Sequence, residues 1–439
     1  MAGMVKRGLD RIKTMVANGR EAVLGPRELN RIREQLTECA ERLGGEVSAR
    51  ARAAKLGETY LKLGDAGRRE FLRLIAVEFG PDPKQVATAH ETWQASIGTA
   101  QQWDAETGLR GAMRSRRIRI LTQFNALPQG VKFLVDLRAD LLRFLGDNPE
   151  LMALDRELEA RLTAWFDVGF LELRRITWTS PAQLLEKLIE YEAVHEIRSW
   201  TDLKNRLDSD RRCYAFFHPR MPMEPLIFVE VALTDHLADN VQALLDEHAP
   251  VFEAERADTA IFYSISNTQA GLRGVSFGNF LLKRVIDDLK RDFPKLKTFA
   301  TLSPIPQLAG WAAKHSDVLK EVGIALDPAH LASGEWSKNK SETRHLREPL
   351  LKLAARYLTQ VKNGKPIEPV ARFHLGNGAR IERINPLADT SFKGFKQSYG
   401  MMVNYLYNPD EIEKNVEAFA TDGSVAMSAA VRRLSRSEP

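Results

Sequence analysis

The hydrophobic period of this chain changes near its middle, and that change sets what it can fold into. Between Pro26 and Leu43 apolar residues return at Leu29, Ile32, Leu36, Cys39 and Leu43. A spacing of three and four gathers them on one face of a helix. Phe71, Leu72, Leu74, Ile75 and Phe79 repeat the pattern up to the break at Gly80-Pro81, and Val131, Phe133, Leu134, Leu137, Leu141 and Leu145 resume it after Pro128-Gln-Gly130. A further helix is predicted over Glu150 to Leu173, and Ser180-Pro181 predicts another that starts with Ser180 as cap and runs to His195. From Arg212 onward the signal is different. Cys213–Phe217, Leu226–Leu233, Ala260–Ser266 and Thr298–Leu302 are short, apolar and β-prone, with helical patterns at Asp239–Glu247 and Phe277–Phe293 between them. Ser333–Arg347 reads as a polar surface loop, Glu348–Gln360 as a helix, and Val370–Leu375 and Met401–Tyr407 as late strands. No fixed period recurs, which excludes a solenoid. The expectation is an all-α domain over residues 1–190, followed over 191–439 by an α/β domain with a mixed sheet.

Composition narrows the function classes. The 439 residues carry a net charge of +5, with Lys and Arg interleaved with Asp and Glu almost everywhere. A nucleic-acid binder concentrates its charge in a patch or stripe, so no nucleic-acid partner is expected. No apolar run reaches the roughly 18 residues that span a bilayer, so no membrane partner is expected either. Met1–Arg20 reads as a basic amphipathic helix without the continuous apolar core of a secretory signal. Only two cysteines occur, Cys39 and Cys213, which is neither a disulfide framework nor a zinc spacing. The expected compartment is reducing and cytoplasmic.

Three segments carry chemistry. Gln269-Ala-Gly-Leu-Arg-Gly274 with Gly278 follows a predicted strand and precedes a helix. Such a junction suits an anion, because glycines let backbone N–H groups approach a phosphate and the helix N-terminus adds positive potential. Arg273 and Lys283 or Arg284 are placed to add charge-assisted contacts. A tight turn is the competing reading. The spacing matches neither a Walker loop nor the dinucleotide fingerprint. Ser303 follows an apolar strand and is held by Pro304-Ile-Pro306, at a strand end where α/β sheets meet ligands. Without a Gly-x-Ser-x-Gly setting it does not read as a hydrolase nucleophile, and a turn serine is the alternative. His374 lies in the predicted strand Val370–Leu375 and is the general-acid candidate, with His218 as its competitor. The remaining histidines, His195 among them, sit on helical or polar segments and are expected to face solvent. His218 and Glu224 lack a third ligand, so no metal is expected. Alternation puts Tyr405 and Tyr407 on one side of the last strand.

From His218 to Tyr407 these motifs resemble the malonyl-CoA decarboxylase family. The resemblance rests on His218-Pro with Glu224-Pro, Phe228–Leu233, Ser264-Ile-Ser266, the Gly-rich loop, Leu302–Pro306, Phe373-His-Leu with Asn377-Gly, Arg383-Ile-Asn385 with Ala388-Asp389, and Asn404-Tyr. It implies a helical N-terminal domain, used for oligomerisation as a homodimer or homotetramer, and a GNAT-like catalytic domain that acts on malonyl-CoA without metal or organic cofactor. It also implies that Ser303 and His374 are the catalytic serine and histidine, that Arg273, Gly274, Val275, Ser276, Phe277, Gly278 and Asn279 form the malonyl-CoA-binding loop, and that Ser264 and Tyr407 are further active-site positions. Two departures stand out. Ser276 occupies a position that is glutamate in some members, and Gln307 follows the Ser-Pro-Ile-Pro stretch where members have glycine. The Gly-rich loop equally fits a GNAT-type acyltransferase, and a non-catalytic acyl-CoA-binding regulator is the third possibility.

Overall fold

The computed structural model describes residues 24–41, 45–275 and 281–436. The helix expected over Met1–Arg20 lies outside them. The described residues form two compact units. One comprises the chain up to Asp167 together with the segment from Gln269; the other comprises Val168–Thr268 and the remainder.

The first unit is helical. Its helices are α1 (Pro26–Glu41), α2 (Gly45–Lys62), α3 (Asp65–Glu78), α4 (Pro83–Ser96), α5 (Gln102–Ala112), α6 (Arg117–Asn125), α7 (Gly130–Phe144) and α8 (Met152–Trp165). The apolar stripes meet in a core that includes Leu36, Phe71, Ile75, Leu121, Leu134 and Leu158, all essentially inaccessible. Each such side chain contributes about 1.5–3 kcal/mol on leaving water. Polar groups that enter this core are paired: Arg117 with Glu157 at 2.7 Å and Arg138 with Asp155 at 2.9 Å. Helices α4 and α5 pack chiefly on each other and leave Ile97 and Trp103 exposed.

The second unit is built on a mixed sheet. Its strands are β1 (Glu172–Ile176), β2 (Arg211–Phe217), β3 (Pro225–Thr234), β4 (Thr259–Asn267), β5 (Thr298–Thr301) and β6 (Ser303–Pro304). The short hairpin β7 (Val361–Lys362) and β8 (Lys365–Pro366) stands apart, and β9 (Arg380–Asn385) and β10 (Met402–Leu406) complete the main sheet. The order runs β1-β2-β3-β4-β5, then β10, which pairs β5 and β6 on one edge and β9 on the other. Every pair is antiparallel except β4 with β5. The helices of this unit are α9 (Ala182–Tyr191), α10 (Trp200–Arg206), α11 (Val241–Leu244), α12 (Leu281–Asp292), α13 (Leu308–Lys314), α14 (Ser316–Glu321), α15 (Pro328–Ser333), α16 (Lys340–Thr359), α17 (Pro369–Gly376), α18 (Phe392–Ser398), α19 (Ile412–Asp422) and α20 (Ala429–Arg436). Leu184, Leu185 and Leu188 of α9 pack on Cys213, Ala215, Phe217 and Phe228 of the sheet. Among the described residues no helix is long and apolar enough to cross a membrane.

A helical region followed by a mixed-sheet domain was the expectation, but four local readings change. The helix expected to reach Leu173 ends at Trp165, and residues 172–176 form the edge strand β1; an edge needs little apolar alternation because one side stays wet. Ser180 does not cap α9: Pro181 occupies that place, and the Ser180 hydroxyl accepts the Thr177 N–H in the preceding turn. The loop expected over Ser333–Arg347 is largely helical. Asn339 caps α16 by accepting the Ser341 N–H at 2.9 Å, and the polar residues that suggested a loop form the helix's wet face. The strand expected at Val370–Leu375 is helix α17.

Candidate active site

Helix α17 is started by Glu368 and Pro369. The Glu368 carboxylate accepts the Ala371 N–H at 2.5 Å, and proline at the first helical position has its φ preset and no N–H to satisfy. In its second turn the helix delivers His374 into the protein with 3% of its surface exposed. Asn377 ends it, with its side-chain amide donating to the Phe373 carbonyl at 2.7 Å. The next residue, Gly378, has φ +86, and a Cβ there would lie 2.6 Å from the Ile412 carbonyl oxygen, so only glycine fits.

Ser303 comes to the same place from the sheet. The parallel ladder of β4 and β5 runs from Thr259/Thr298 to Phe262/Thr301, with Leu302 N–H bonding the Phe262 carbonyl. There the two strands part: β4 continues to Asn267, and Ser303 pairs with Val403 of β10 instead. An extra β4 residue, Tyr263, falls between the pairs Glu230/Ser264 and Val231/Phe262, so a bulge sits where the strands separate.

The side chains form one hydrogen-bonded row. The Ser303 hydroxyl donates to Thr301 Oγ1 at 2.8 Å. His374 Nε2 lies 3.2 Å from Ser303 Oγ, and His374 Nδ1 lies 2.7 Å from the Tyr407 hydroxyl. Thr301 Oγ1 also accepts the Tyr405 N–H at 3.1 Å, and the Tyr405 ring stacks on the imidazole with centroids 4.4 Å apart. Burial pushes the imidazole down to about 3, so the ring is neutral at physiological pH. Burial likewise pushes the Tyr407 hydroxyl up, so it keeps its proton. These facts give the row a direction. Because Ser303 spends its proton on Thr301, its oxygen accepts from His374 Nε2–H, and the neutral ring can then only accept at Nδ1, from Tyr407 O–H. Protons therefore point from Tyr407 through His374 to Ser303.

Of the residues singled out in the sequence, Ser303, His374 and Tyr407 come together. Ser264 does not join them. Its hydroxyl reaches both oxygens of Glu192 at 2.8 Å, and Glu192 also accepts from Ser266 and from the N–H groups of Val194 and His195. Glu230 lies beside this carboxylate with no exposed surface; burial, then the Glu192 charge, pushes it up to about 8. His195, expected at the surface, is instead held down to about 4 by burial, and its Nε2 is buried without a partner among the described residues. His218 is buried in a turn, where its Nδ1 accepts the Arg220 N–H, and Glu224 pairs with Lys187. Among the described residues no group of three or more His, Cys, Asp or Glu side chains is placed to hold a metal. Both cysteines are buried and unpaired.

The Gly-rich loop is described through Val275; Ser276, Phe277, Gly278 and Asn279 lie outside the described residues. Its first half packs with the helical unit. A Cβ on Gly271 would fall 1.8 Å from the Val135 carbonyl oxygen of α7, so this glycine serves the approach of two backbones. Arg138 donates to the carbonyls of Gly271 and Arg273 at 2.9 and 2.8 Å. Gly274 has φ +87, and the Arg273 side chain is exposed with no ion pair among the described residues. Lys283 is paired with Glu413, and Arg284 donates to the Leu171 carbonyl.

Thr301 and Glu368 had not been singled out. Glu368-Pro369 is a legible helix start, whereas nothing in the sequence ties Thr301 to a histidine 73 residues away.

Comparison with known proteins identifies the family. The malonyl-CoA decarboxylase C-terminal domain family matches residues 169–439, and the malonyl-CoA decarboxylase N-terminal domain family matches residues 79–166. The mitochondrial malonyl-CoA decarboxylase of Rattus norvegicus is 38% identical over 420 residues, covering 88% of this chain and 85% of that protein. That of Anser anser anser is 38% identical over 409 residues, covering 84% and 80%. The crystal structure of malonyl-CoA decarboxylase from Agrobacterium vitis matches with a TM-score of 0.85 at 42% identity, over 92% of this chain and all of that one (100%). That from Cupriavidus metallidurans matches with a TM-score of 0.74 at 46% identity, over 93% and 100%. By its sequence over both halves, and by its fold, the chain belongs to the malonyl-CoA decarboxylase family.

Proposed function

We propose that this protein converts malonyl-CoA to acetyl-CoA and CO2, with Ser303, His374 and Tyr407 as the reacting row. The observation that carries the reading is the direction of that row on a buried, neutral histidine. Loss of CO2 leaves the bonding electron pair on the α-carbon, delocalised into the thioester carbonyl as an enolate. The thioester is itself the electron sink. Ser303 turns its hydroxyl from Thr301 to the leaving carboxylate and holds the breaking C–C bond perpendicular to the thioester plane. The carbon then takes the proton of His374 Nε2 as Tyr407 passes its own to Nδ1, and a proton from solvent restores the tyrosine and the starting tautomer before the next turnover. Neutrality of the ring matters, because an imidazolium would hold the carboxylate as an ion pair and stabilise the ground state against CO2 loss.

Arg273, Gly274, Val275, Ser276, Phe277, Gly278 and Asn279 are assigned to the substrate's phosphates and arm, with the exposed Arg273 guanidinium supplying charge. Ser264 shapes β4 where it leaves β5, its hydroxyl already committed to Glu192. The helical unit is assigned to assembly as a homodimer or homotetramer, through the exposed apolar residues Ile97 and Trp103, in a cytoplasmic protein.

A second reading, acyl transfer, is favoured by the parting of the parallel strands β4 and β5, between which an acyl-CoA arm would lie. Malonyl-CoA labelled at its central carbon separates the two. Label recovered in acetyl-CoA with equimolar CO2 supports decarboxylation. Label recovered on an amine or thiol acceptor would replace it with transfer.

A further inference from the structure

A groove of about 390 Å³ opens in the sheet unit between α16 and the end of β9, and none of its lining residues belongs to the reacting row. Thr343, Arg347 and Leu350 face it from α16, at the spacing of one helix face. Arg383 and Asn385 of β9 face it from the other side. Its volume is in the range of small-molecule sites, about 300–1,000 Å³.

The charges in this groove are not balanced. Arg347 is exposed and makes no ion pair or hydrogen bond among the described residues. Arg383 donates only to neutral acceptors: the Leu237 and Ala238 carbonyls at 2.7 and 3.2 Å and Asn404 Oδ1 at 3.2 Å. Among the described residues the one carboxylate on the rim is Asp239, exposed and without an ion pair there, which leaves two guanidiniums against one negative charge. Apart from Asn240, the rest of the wall is apolar, with Trp336, Ile384, Pro386 and Leu387. Leu387 has φ 52, a left-handed conformation that costs a branched residue about 1–2 kcal/mol. Strain of this kind is held by the surrounding structure and gathers at ligand clamps and switch regions. Here the Leu387 carbonyl accepts the Asn240 amide across the mouth of the groove.

The groove is also wired to the reacting row. Asn404 Oδ1 accepts from Arg383 and from Asn385, while Asn404 Nδ2 donates to the Thr301 carbonyl at 2.8 Å. Thr301 in turn accepts the Ser303 hydroxyl. Asn404 has no exposed surface, so any shift of Arg383 toward an anion is transmitted through a packed amide.

We infer that this groove binds a small organic carboxylate with an apolar body between Arg347 and Arg383, and that its occupancy changes turnover through Asn404 and Thr301. The guanidinium fork fits a carboxylate and the apolar wall fits its body; inorganic phosphate would use only the first. The turnover half of this inference rests on the decarboxylase reading, whereas the binding half does not.

The probe is 4-fluorobenzoate, followed by ¹⁹F line broadening on the full chain. Saturable broadening is expected, weakened about tenfold in Arg347→Ala, the lower bound for losing a hydrogen bond to a charged group. Equal binding by Arg347→Ala, or by neutral 4-fluorobenzamide, would overturn the site. Displacement by saturating CoA would place the probe in the reaction site and also overturn it. Orthophosphate competing as well as the probe itself would overturn the choice of an organic carboxylate. With malonyl-CoA as substrate, kcat is expected to shift with bound probe in the wild type and stay unchanged in Arg347→Ala, whose basal turnover remains that of the wild type. Saturable binding with no shift in kcat would overturn the coupling. A wild-type protein with no decarboxylation at all would sink the proposed function and leave the ¹⁹F result standing.

Discussion

Replacing Tyr407 by phenylalanine isolates the direction of the reacting row. The Tyr407 ring is buried and stays in place by packing edge-on against Phe262, with centroids 6.4 Å apart, so the substitution removes only the hydroxyl. Among the described residues that hydroxyl has one partner, His374 Nδ1 at 2.7 Å. Its loss leaves a fully buried ring nitrogen unpaired, at a cost of about 1–3 kcal/mol in stability. The kinetic effect is larger. Without a donor at Nδ1 the neutral ring is free to carry its proton there and present a bare Nε2 to Ser303, which reverses the row. Loss of a positioned proton donor lowers turnover by roughly 10²–10⁴-fold. Among the described residues the hydroxyl bonds only His374, so kcat should fall by at least about 10²-fold while KM stays within about twofold. Tyr405→Phe is the matched control. Its hydroxyl is buried without a partner among the described residues, so kcat should hold and stability should rise slightly. Steady-state acetyl-CoA formation measures both variants. A Tyr407→Phe enzyme with kcat within threefold of wild type would refute the assigned direction.

Further expectations follow from the same structure. Ser303→Ala should lower kcat by about 10²-fold or more while leaving CoA binding by calorimetry intact; unchanged turnover would return Ser303 to the status of a turn residue. Glu230 is protonated in the folded protein up to about 8 but ionises near 4.5 when unfolded. The folded state therefore binds the extra proton between those values, so this group's contribution to stability declines as pH rises from 4.5 to 8 and is flat above. Urea unfolding of Glu230→Gln across that window should show a shallower decline than the wild type, and parallel curves would refute the reading. Gly271→Ala forces a methyl group to 1.8 Å from a backbone oxygen and should destabilise by about 3 kcal/mol. Gly310→Ala, on a helix face with nothing within 4 Å, should stabilise by about 0.5–1 kcal/mol; thermal melts that rank the pair the other way would contradict the packing.

The periodicities made most of the scaffold legible. Central strands such as β3 (Pro225–Thr234) are buried on both faces, and their apolar runs announce them. Elements whose residues serve two masters were harder to read. The edge strand β1, Glu-Leu-Arg-Arg-Ile, carries three charges because one side meets water, and it continued the helical spacing of Phe166 and Phe170. Helix α17 looked β-prone through Val370, Phe373 and Leu375, although Glu368-Pro369 carried a helix start; tertiary packing of His374 and Leu375 outweighs the weak local preference. Strand β9 was missed because its charged residues interrupt any apolar pattern: Arg380 and Glu382 pair with each other across one residue, and Arg380 and Arg383 also reach Glu411 and the Leu237 carbonyl, far away in sequence. The glycines of the loop at 269–275 signalled a close backbone approach, but sequence does not say to what, and for Gly271 the neighbour is the carbonyl of Val135. In the candidate site, Ser303 and His374 stood out on their own segments. The Thr301, Tyr405 and Tyr407 contacts that give the histidine its tautomer join residues far apart in sequence, which periodicity cannot register.

The central claim is that a neutral His374 delivers the proton that replaces CO2. The most direct measurement incubates purified wild type and His374→Asn side by side with malonyl-CoA in metal-chelated buffer and follows acetyl-CoA by mass spectrometry. Stoichiometric acetyl-CoA from the wild type and a rate at least about 10²-fold lower from the variant are predicted. Equal rates from the two proteins would contradict the account.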